Sequence, residues 1–178
     1  MTQRFVLVLG GTRSGKSRFG LERARILAAS EAVTYLATAH RGDPELERRI
    51  ESHRRARPAT WPTIDVGDDL AATIREVPAE RTILLDGLTL WLSTAYDGSE
   101  PDIEGFLAGP VSAALRAIDE RPGAVVVVSD EIGLGMVPMD PLAREFRDLI
   151  GLVHRRFAAD AHEVYLMVAG LPITLKPR

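Results

Sequence analysis

The sequence predicts an α/β fold in which a mostly parallel sheet carries helices on both faces. Short apolar runs rich in β-forming residues alternate along the chain with longer segments whose apolar residues have helical spacing. The first run leads directly into a glycine-rich loop. Ligands collect at the carboxyl ends of the strands in such sheets, so the functional residues are expected in the loops that follow the strands.

The first half of the chain supplies three of the predicted strands. Continuous apolar runs place them at 5–9, 32–38 and 82–85. Helical spacing predicts the helices between and after them, and Pro58 ends one of these helices. The predicted helices cover 16–29, 44–57, 68–76 and 88–95.

The alternation continues after a turn-rich surface loop at 97–101. A helix is expected over 102–119, with a break or a late start at Gly109-Pro110. The strongest strand pattern in the chain, at 124–128, feeds a loop at 129–139.

A long helix packed on the sheet is predicted next. Asp140 and Pro141 suit the N-cap and first helical positions. One apolar stripe follows them, formed by Leu142, Phe146, Leu149, Val153 and Phe157. Two last strands, at 164–168 and 173–175, are joined by 170–172 and are compatible with a hairpin.

Size and composition restrict the possible functions. A chain of 178 residues is expected to form one domain over 1–178. A net charge of −3 gives no general attraction for nucleic acid or an anionic membrane. The absence of cysteine excludes disulfides and thiolate chemistry. The amino-terminal segment has the pattern of neither a signal peptide nor a membrane span, so a cytoplasmic location is expected.

The loop after the first strand predicts a phosphate-binding site of the Gly-x4-Gly-Lys-Ser type. Its glycines allow the backbone to curl so that N–H groups point at phosphate oxygens. Lys16 would reach the β and γ phosphates, and the Ser17 hydroxyl would hold Mg²⁺. The alternative is a glycine turn that happens to precede a helix. The predicted binding residues are Gly10, Gly11, Thr12, Arg13, Ser14, Gly15, Lys16 and Ser17.

Such a loop needs an acidic partner at the end of another strand to hold the metal, directly or through water. Asp86 is one candidate, and Asp130 with Glu131 is the other. The alternative for Asp86 is a turn aspartate before Gly87, and the alternative for the pair is a helix cap or a surface role. Position after a buried strand favours a functional Asp86.

A histidine among arginines marks the predicted helix at 44–57. His53 shares a face with Ile50 and Arg57, and Arg49 lies one turn before it. Neighbouring positive charge favours the neutral, nucleophilic imidazole. From spacing alone, a structural histidine is the more common explanation.

The three other histidines, His40, His154 and His162, are isolated in the sequence. They are expected to be surface or helix-side residues.

Two further function classes fit a phosphate-binding loop. An ordinary small-molecule or nucleoside kinase would move only the γ-phosphate and would leave His53 structural. A nucleotide-dependent switch or assembly ATPase would hydrolyse slowly and signal to a partner. A nucleic-acid motor is the least favoured, because no basic stripe with interleaved aromatic residues is found.

Several blocks of sequence together resemble one family, the bifunctional adenosylcobinamide kinase and adenosylcobinamide-phosphate guanylyltransferase of cobalamin biosynthesis. The resemblance runs nearly end to end, and the order and spacing of the blocks make it specific. Besides the loop at 10–17, the blocks lie at 35–39, 49–63, 84–92, 128–138, 142–148 and 170–176.

The resemblance implies a RecA-like P-loop NTPase fold and two successive reactions. ATP or GTP would phosphorylate adenosylcobinamide, and a histidine would then accept GMP from GTP and pass it to the cobinamide phosphate. The guanylylated histidine of the family falls on His53. Segments lining the family's guanine nucleotide site fall on Ala37, Thr38, Ala39, Arg54, Arg55, Ala56 and Arg57. The two acidic nucleotide contacts fall on Asp65 and Asp86, and a homotrimer is implied.

Three positions depart from the pattern of this family. Asp65 and Asp86 stand where glutamate is common, so each reaches one methylene less far. Asp130 replaces the usual asparagine before Glu131 and adds a negative charge near the expected phosphates. The pocket is therefore expected to bind metal more tightly or to position its nucleotide differently.

Overall fold

The strands form where the sequence places its apolar runs. The computed structural model describes residues 4–28, 33–38, 51, 57–96, 98 and 102–177. Its strands are β1 (Phe5–Gly10), β2 (Val33–Ala37), β3 (Thr63–Asp65), β4 (Thr82–Asp86), β5 (Val125–Asp130), β6 (Glu163–Val168) and β7 (Leu171–Lys176).

The described helices alternate with these strands. They are α1 (Lys16–Ala28), α2 (Leu70–Glu76), α3 (Leu88–Ala95), α4 (Ile103–Phe106), α5 (Ser112–Asp119) and α6 (Pro141–Asp160). Aspartate side chains cap three of them. Asp69 accepts a hydrogen bond from the Ala72 amide at 2.9 Å, Asp102 accepts one from the Gly105 amide at 2.8 Å, and Asp140 accepts one from the Ala143 amide at 2.8 Å.

The seven strands of the described residues belong to one sheet with the order β3-β2-β4-β5-β1-β6-β7. Every pairing is parallel except that of β6 with β7, which is antiparallel. The prediction of a mostly parallel sheet is therefore confirmed. Since β1 lies between β5 and β6, the loop that follows β1 emerges at the middle of the carboxyl edge.

Helices cover both faces of the sheet. Alternate side chains of β1 point to opposite faces, so β1 contributes to a core on each side. Phe5, Leu7 and Leu9 pack in a large core with residues of α2, α3, α5 and α6. Val6 and Val8 pack in a second core that includes Ala24 and Ala28 of α1. The strand at the centre is buried on both sides, as its continuous apolar run requires.

Two strands differ from the prediction. β3 was not predicted, because it is a short edge strand with two exposed residues and no apolar run. β5 extends to Asp130, two residues beyond the predicted end, because Ser129 and Asp130 continue the register with Leu9 and Gly10. The first two residues of the predicted loop at 129–139 therefore belong to the strand.

The predicted break at Gly109-Pro110 is wrong. A π-helical turn at Leu107–Val111 joins α4 to α5 and contains Pro110, so the chain stays helical. Leu142 is also an exception, since 53% of it is exposed, whereas the rest of the predicted stripe from Leu149 onward is buried.

The predicted helix at 44–57 lies outside the described residues except for Glu51 and Arg57, and the predicted loop at 97–101 lies outside them except for Gly98. Among the helices that are described, none is long and apolar enough to cross a membrane.

Candidate nucleotide-binding site

The loop between β1 and α1 has the backbone conformation that its glycines allow. Gly15 has φ of 93° and Arg13 has φ of 56°, and the Ser14 amide donates to the Gly11 carbonyl at 3.2 Å. Alternation of right- and left-handed residues turns successive N–H groups inward and forms an anion-binding concavity. The amino terminus of α1 adds its unpaired N–H groups to the same place.

Close packing at the start of the loop requires glycine at position 10. A Cβ atom there would lie 2.4 Å from Ser14 Oγ and 3.0 Å from Met167 Cβ. The β6–β7 turn supports the loop from the other side, since the Gly170 amide donates to the Ser14 carbonyl at 3.0 Å. The loop is therefore held in place from both ends.

Lys16 lies at the first position of α1 and makes an ion pair. Its Nζ lies 2.6 Å from Asp130 Oδ1 at the end of β5 and donates to the Gly11 carbonyl at 3.2 Å. The lysine side chain is 13% exposed and the aspartate side chain 33% exposed. A phosphate that takes Lys16 as its partner must compete with this carboxylate.

Asp86 lies at the end of β4 and faces Ser17, the residue after Lys16. The Ser17 hydroxyl donates to Asp86 Oδ1 at 3.1 Å, and the Tyr35 hydroxyl donates to Asp86 Oδ2 at 3.1 Å. Burial, followed by the charge and hydrogen bond of Asp86, raises the pKa of Tyr35 well above its usual range. The phenol is therefore a stable donor that orients the carboxylate.

The pair formed by Ser17 and Asp86 suits a magnesium ion. A hydroxyl and a carboxylate are the hard oxygen ligands that Mg²⁺ takes in proteins, with phosphate and water completing its shell. The described residues contain no group of three or more His, Cys, Asp or Glu side chains that could enclose a metal by itself. The chemistry of these two side chains fits a metal that binds together with nucleotide.

Thr38 follows β2 and supports the turn after Asp86. It is 2% exposed, and its hydroxyl lies 2.8 Å from the Gly87 carbonyl, where Gly87 has φ of 117°. Ala37 pairs in register with both Asp65 and Asp86. Asp65 is exposed at the end of β3, two strands away from β4, so the two aspartates do not meet.

Arg57 is the one member of the predicted arginine segment that the structure describes. Its guanidinium carbon lies 4.0 Å from the centroid of the Tyr35 ring. This cation–π contact holds the positive charge of Arg57 against the side chain whose hydroxyl donates to Asp86. His53, Ala39, Arg54, Arg55 and Ala56 lie outside the described residues.

The expectation for His154 is wrong. It is 6% exposed, and its Nε2 lies 2.8 Å from Ser129 Oγ at the end of β5. A usable signal was present in the sequence, because His154 falls at helical spacing from Ile150 and Phe157 on the buried side of α6. His162 is exposed, and its Nδ1 accepts a hydrogen bond from the Phe5 amide at 3.1 Å.

Thr89 was not predicted to contribute to the site, whereas Glu131 was predicted with Asp130 as an acidic partner of the loop. The Glu131 amide donates to the Gly10 carbonyl at 3.0 Å, and Thr89 Oγ1 accepts from the Asp130 amide at 3.0 Å. Both hydrogen bonds join residues that are distant in sequence, so no local sequence pattern predicts these contacts. The structure thus places both acidic candidates beside the loop, Asp86 at Ser17 and Asp130 at Lys16.

A family described as cobinamide kinase / cobinamide phosphate guanyltransferase matches residues 6–175. The chain belongs to this family. Membership makes the chain a bifunctional enzyme with a kinase activity and a guanylyltransferase activity. The resemblance that the sequence blocks indicated is confirmed over nearly the whole chain.

Relatives of known name agree with the family. The bifunctional adenosylcobalamin biosynthesis protein CobP of Pseudomonas aeruginosa is 45% identical over 173 residues, covering 96% of each chain. The bifunctional adenosylcobalamin biosynthesis protein CobU of Escherichia coli is 35% identical, covering 96% of this chain and 99% of its own. That of Salmonella typhimurium is 36% identical with the same coverage.

Solved structures of other proteins share the fold of this family member. The flagellar accessory protein FlaH of Methanocaldococcus jannaschii superposes with a TM-score of 0.54 at 12% identity, covering 98% of this chain and 79% of its own. A KaiC-like protein from Pyrococcus horikoshii has a TM-score of 0.51 at 14% identity, covering 92% and 70%. The predicted RecA-like P-loop fold is confirmed.

Proposed function

We propose that this chain phosphorylates adenosylcobinamide with ATP or GTP and then transfers GMP from GTP, through a guanylylated His53, to adenosylcobinamide phosphate. The observation that carries the proposal is the arrangement of Lys16 and Ser17 against Asp130 and Asp86 in a chain that the family matches from residue 6 to residue 175. Phosphate-binding and metal-binding groups stand together at the carboxyl edge of the sheet, where a triphosphate is expected.

The kinase step needs positioning more than covalent chemistry. The hydroxyl oxygen of adenosylcobinamide attacks the γ-phosphorus and gives up its proton to water, the bond to the β–γ bridging oxygen breaks, and the nucleoside diphosphate leaves with that oxygen. The loop amides of residues 10–17 and the Lys16 ammonium bind the phosphates. Ser17 and Asp86 would hold Mg²⁺, which would supply positive charge for the leaving diphosphate.

The guanylyltransferase step divides into two displacements at one phosphorus. A ring nitrogen of His53 attacks the α-phosphorus of GTP, and pyrophosphate leaves. A phosphate oxygen of adenosylcobinamide phosphate then attacks the same phosphorus, the P–N bond breaks, and His53 is regenerated. The loop that binds the β and γ phosphates in the first reaction would bind the departing pyrophosphate in the second.

The remaining predicted residues are proposed to hold the guanine nucleotide. Arg54, Arg55 and Arg57 add positive charge near His53, which favours the nucleophilic neutral imidazole and attracts the α-phosphate. Arg57 itself lies against the Tyr35 ring, whose hydroxyl donates to Asp86. Ala37, Thr38, Ala39, Ala56 and Asp65 complete the proposed nucleotide contacts.

A homotrimer is also proposed, and exposed apolar side chains support self-association. β7 is an edge strand, and Leu171, Ile173 and Leu175 on it are 70%, 48% and 55% exposed. An apolar, unpaired strand edge is a surface that soluble proteins usually cover. Sedimentation equilibrium tests this proposal, and a monomer at enzyme concentrations used in assays would overturn it.

The activity proposal is tested by following the corrinoid product by mass spectrometry. Wild-type enzyme with Mg²⁺, GTP and adenosylcobinamide is expected to yield the phosphorylated and then the guanylylated corrinoid. Lys16→Ala is expected to lose both products, whereas His53→Asn is expected to stop at the phosphate. His40→Asn is the matched control and should give both products. A guanylylated product from His53→Asn would contradict the proposed intermediate.

A further inference from the structure

A buried imidazole lies directly behind the end of β5 and has no part in the function proposed above. His154 projects from α6, is 6% exposed, and places Nε2 2.8 Å from Ser129 Oγ. The cost of burying a polar ring is offset only when its nitrogens have partners. The identity of those partners shows what the ring can do.

A continuous chain of hydrogen bonds runs from this ring to the backbone of Asp130. The Asp130 amide donates to Thr89 Oγ1 at 3.0 Å, and Thr89 Oγ1 lies 2.9 Å from Ser129 Oγ. The Thr89 hydroxyl has one proton, and Ser129 Oγ at 2.9 Å is a nearer acceptor than the Asp130 carbonyl at 3.4 Å. With Thr89 donating to Ser129 and the Ser129 hydroxyl donating to Nε2, each hydroxyl donates once. This assignment makes Nε2 an acceptor and puts the imidazole proton on Nδ1.

The other ring nitrogen is directed toward Glu131. Nδ1 lies 3.4 Å from Glu131 Oε2 and makes no hydrogen bond within the described residues. The Glu131 carboxylate is also held at Oε1, which accepts from the Gly133 amide at 2.6 Å. Burial lowers the pKa of His154, while the Glu131 carboxylate opposes that shift. A neutral ring that carries its proton on Nδ1, the nitrogen facing the Glu131 carboxylate, agrees with the assignment made from the hydrogen bonds.

Both residues that this ring reaches are in contact with the phosphate loop. Asp130 Oδ1 lies 2.6 Å from Lys16 Nζ, and the Glu131 amide donates to the Gly10 carbonyl at 3.0 Å. A shift of the end of β5 would therefore move Lys16 and the start of the loop together. Displacements of about 1 Å at a reacting centre cost on the order of a hundredfold in rate.

We propose that His154 is a positioning residue for phosphoryl transfer. Through Ser129 and Thr89 it fixes the backbone of Asp130, and through the Glu131 carboxylate it fixes the next residue, so that Lys16 keeps its alignment. The inference rests on the proposed function, because it takes Lys16 to be the lysine that binds the transferred phosphate. His154 itself touches neither nucleotide nor acceptor in this role.

A purely structural histidine would behave differently when it is replaced. Its loss would lower thermal stability and leave the turnover of the remaining folded enzyme unchanged. A positioning residue instead lowers kcat for folded enzyme, with a smaller change in the KM for the triphosphate. A glutamine should restore the function, because its side-chain oxygen can take the place of Nε2 as the acceptor from Ser129.

The experiment measures Tm, kcat and KM for Mg·GTP in the kinase reaction for wild type, His154→Leu, His154→Gln and Ser129→Ala. His162→Gln is the matched control, because a ring nitrogen of His162 also has a hydrogen bond at the sheet, but it accepts that bond from the Phe5 amide at the opposite end of β1. Ser129→Ala breaks the same chain with a smaller change in volume and keeps the test open should His154→Leu fail to fold.

His154→Leu and Ser129→Ala are expected to lower kcat by about tenfold or more. His154→Gln is expected to retain most of the wild-type kcat, and His162→Gln to retain all of it. An unchanged kcat in folded Ser129→Ala, or an equal loss in His162→Gln, would overturn the inference. Failure of wild-type enzyme to phosphorylate adenosylcobinamide with Mg·GTP would instead overturn the proposed function.

Discussion

Lys16 Nζ lies 2.6 Å from Asp130 Oδ1, so the lysine proposed to bind phosphate is paired with a carboxylate. Lys16 begins the helix that follows β1, and Asp130 ends β5. The strands β1 and β5 are neighbours in the sheet although they are far apart in sequence. An incoming phosphate and Asp130 compete for the same positive charge. The strength of this competition is the first quantity that mutation can measure.

Asp130→Asn is expected to bind Mg·GTP more tightly than wild type. The change removes a negative charge from the phosphate site and releases Lys16. Since the pair is partly exposed, an effect of up to about fivefold in Kd is expected. Isothermal titration calorimetry measures it. Asp140→Asn is the control of equal charge, because asparagine can keep the N-cap of α6. Weaker binding by Asp130→Asn would show that the carboxylate assists the nucleotide.

Asp86→Asn is expected to make GTP binding much less dependent on Mg²⁺. The carboxylate that accepts from Ser17 would lose its charge and with it most of its affinity for a divalent ion. Binding measured with Mg²⁺ and with a chelator gives the ratio directly. Asp119→Asn is the comparison, since Asp119 is exposed at the end of α5, has no part in the proposed site and should leave that ratio at the wild-type value. Equal ratios in wild type and Asp86→Asn would exclude Asp86 as the metal ligand.

Gly10→Ala is expected to destabilise the protein, whereas Gly11→Ala is not. An added Cβ at Gly10 would lie 2.4 Å from Ser14 Oγ, but one at Gly11 has no neighbour within 4 Å. Overpacking of this kind costs about 1–3 kcal/mol in the free energy of unfolding. Urea unfolding of the two variants compares the same chemical change at adjacent positions. Equal midpoints would contradict the described packing of the loop.

Alkaline pH is expected to weaken the folded state through its tyrosines. The pKa of Tyr35 is raised well above its usual range, mainly by burial and Asp86; that of Tyr96 is raised to about 12, by burial and Glu145. Above pH about 10 the unfolded chain loses phenolic protons that the folded chain keeps, so stability falls as pH rises. Ultraviolet difference titration should show few phenolates in folded protein at that pH and more after denaturation. Tyr35→Phe should reduce the slope of stability against pH.

The strands and the phosphate loop could be predicted because their signals are local. A continuous apolar run is required of a parallel strand buried on both faces, and β1, β2 and β4 satisfy that requirement. The Gly-x4-Gly-Lys-Ser spacing is likewise a local requirement of the loop backbone. β3 has neither signal, since it owes its strand conformation to pairing with β2.

The partners of the loop residues could be predicted only in part. Position after a buried strand indicated Asp86 and Asp130, but which one faces Ser17 and which one faces Lys16 depends on strand order. His154 lies on α6, Ser129 on β5 and Thr89 on α3, and hydrogen bonds join them. The spacing of residues within one element does not predict which residues of another element they contact. The helical spacing of His154 from Ile150 and Phe157 predicts that it is buried, but the sequence does not predict its hydrogen-bond partners.

His53 is proposed to carry GMP between GTP and the corrinoid. The most direct measurement incubates the enzyme with Mg²⁺ and GTP radiolabelled at the α-phosphate, and then compares wild type, His53→Asn and His40→Asn after denaturing electrophoresis. We expect an acid-labile label on wild type and on His40→Asn and none on His53→Asn, as a phosphoramidate at His53 requires. An equal label on His53→Asn, or no label on wild-type protein that binds GTP, would contradict the account.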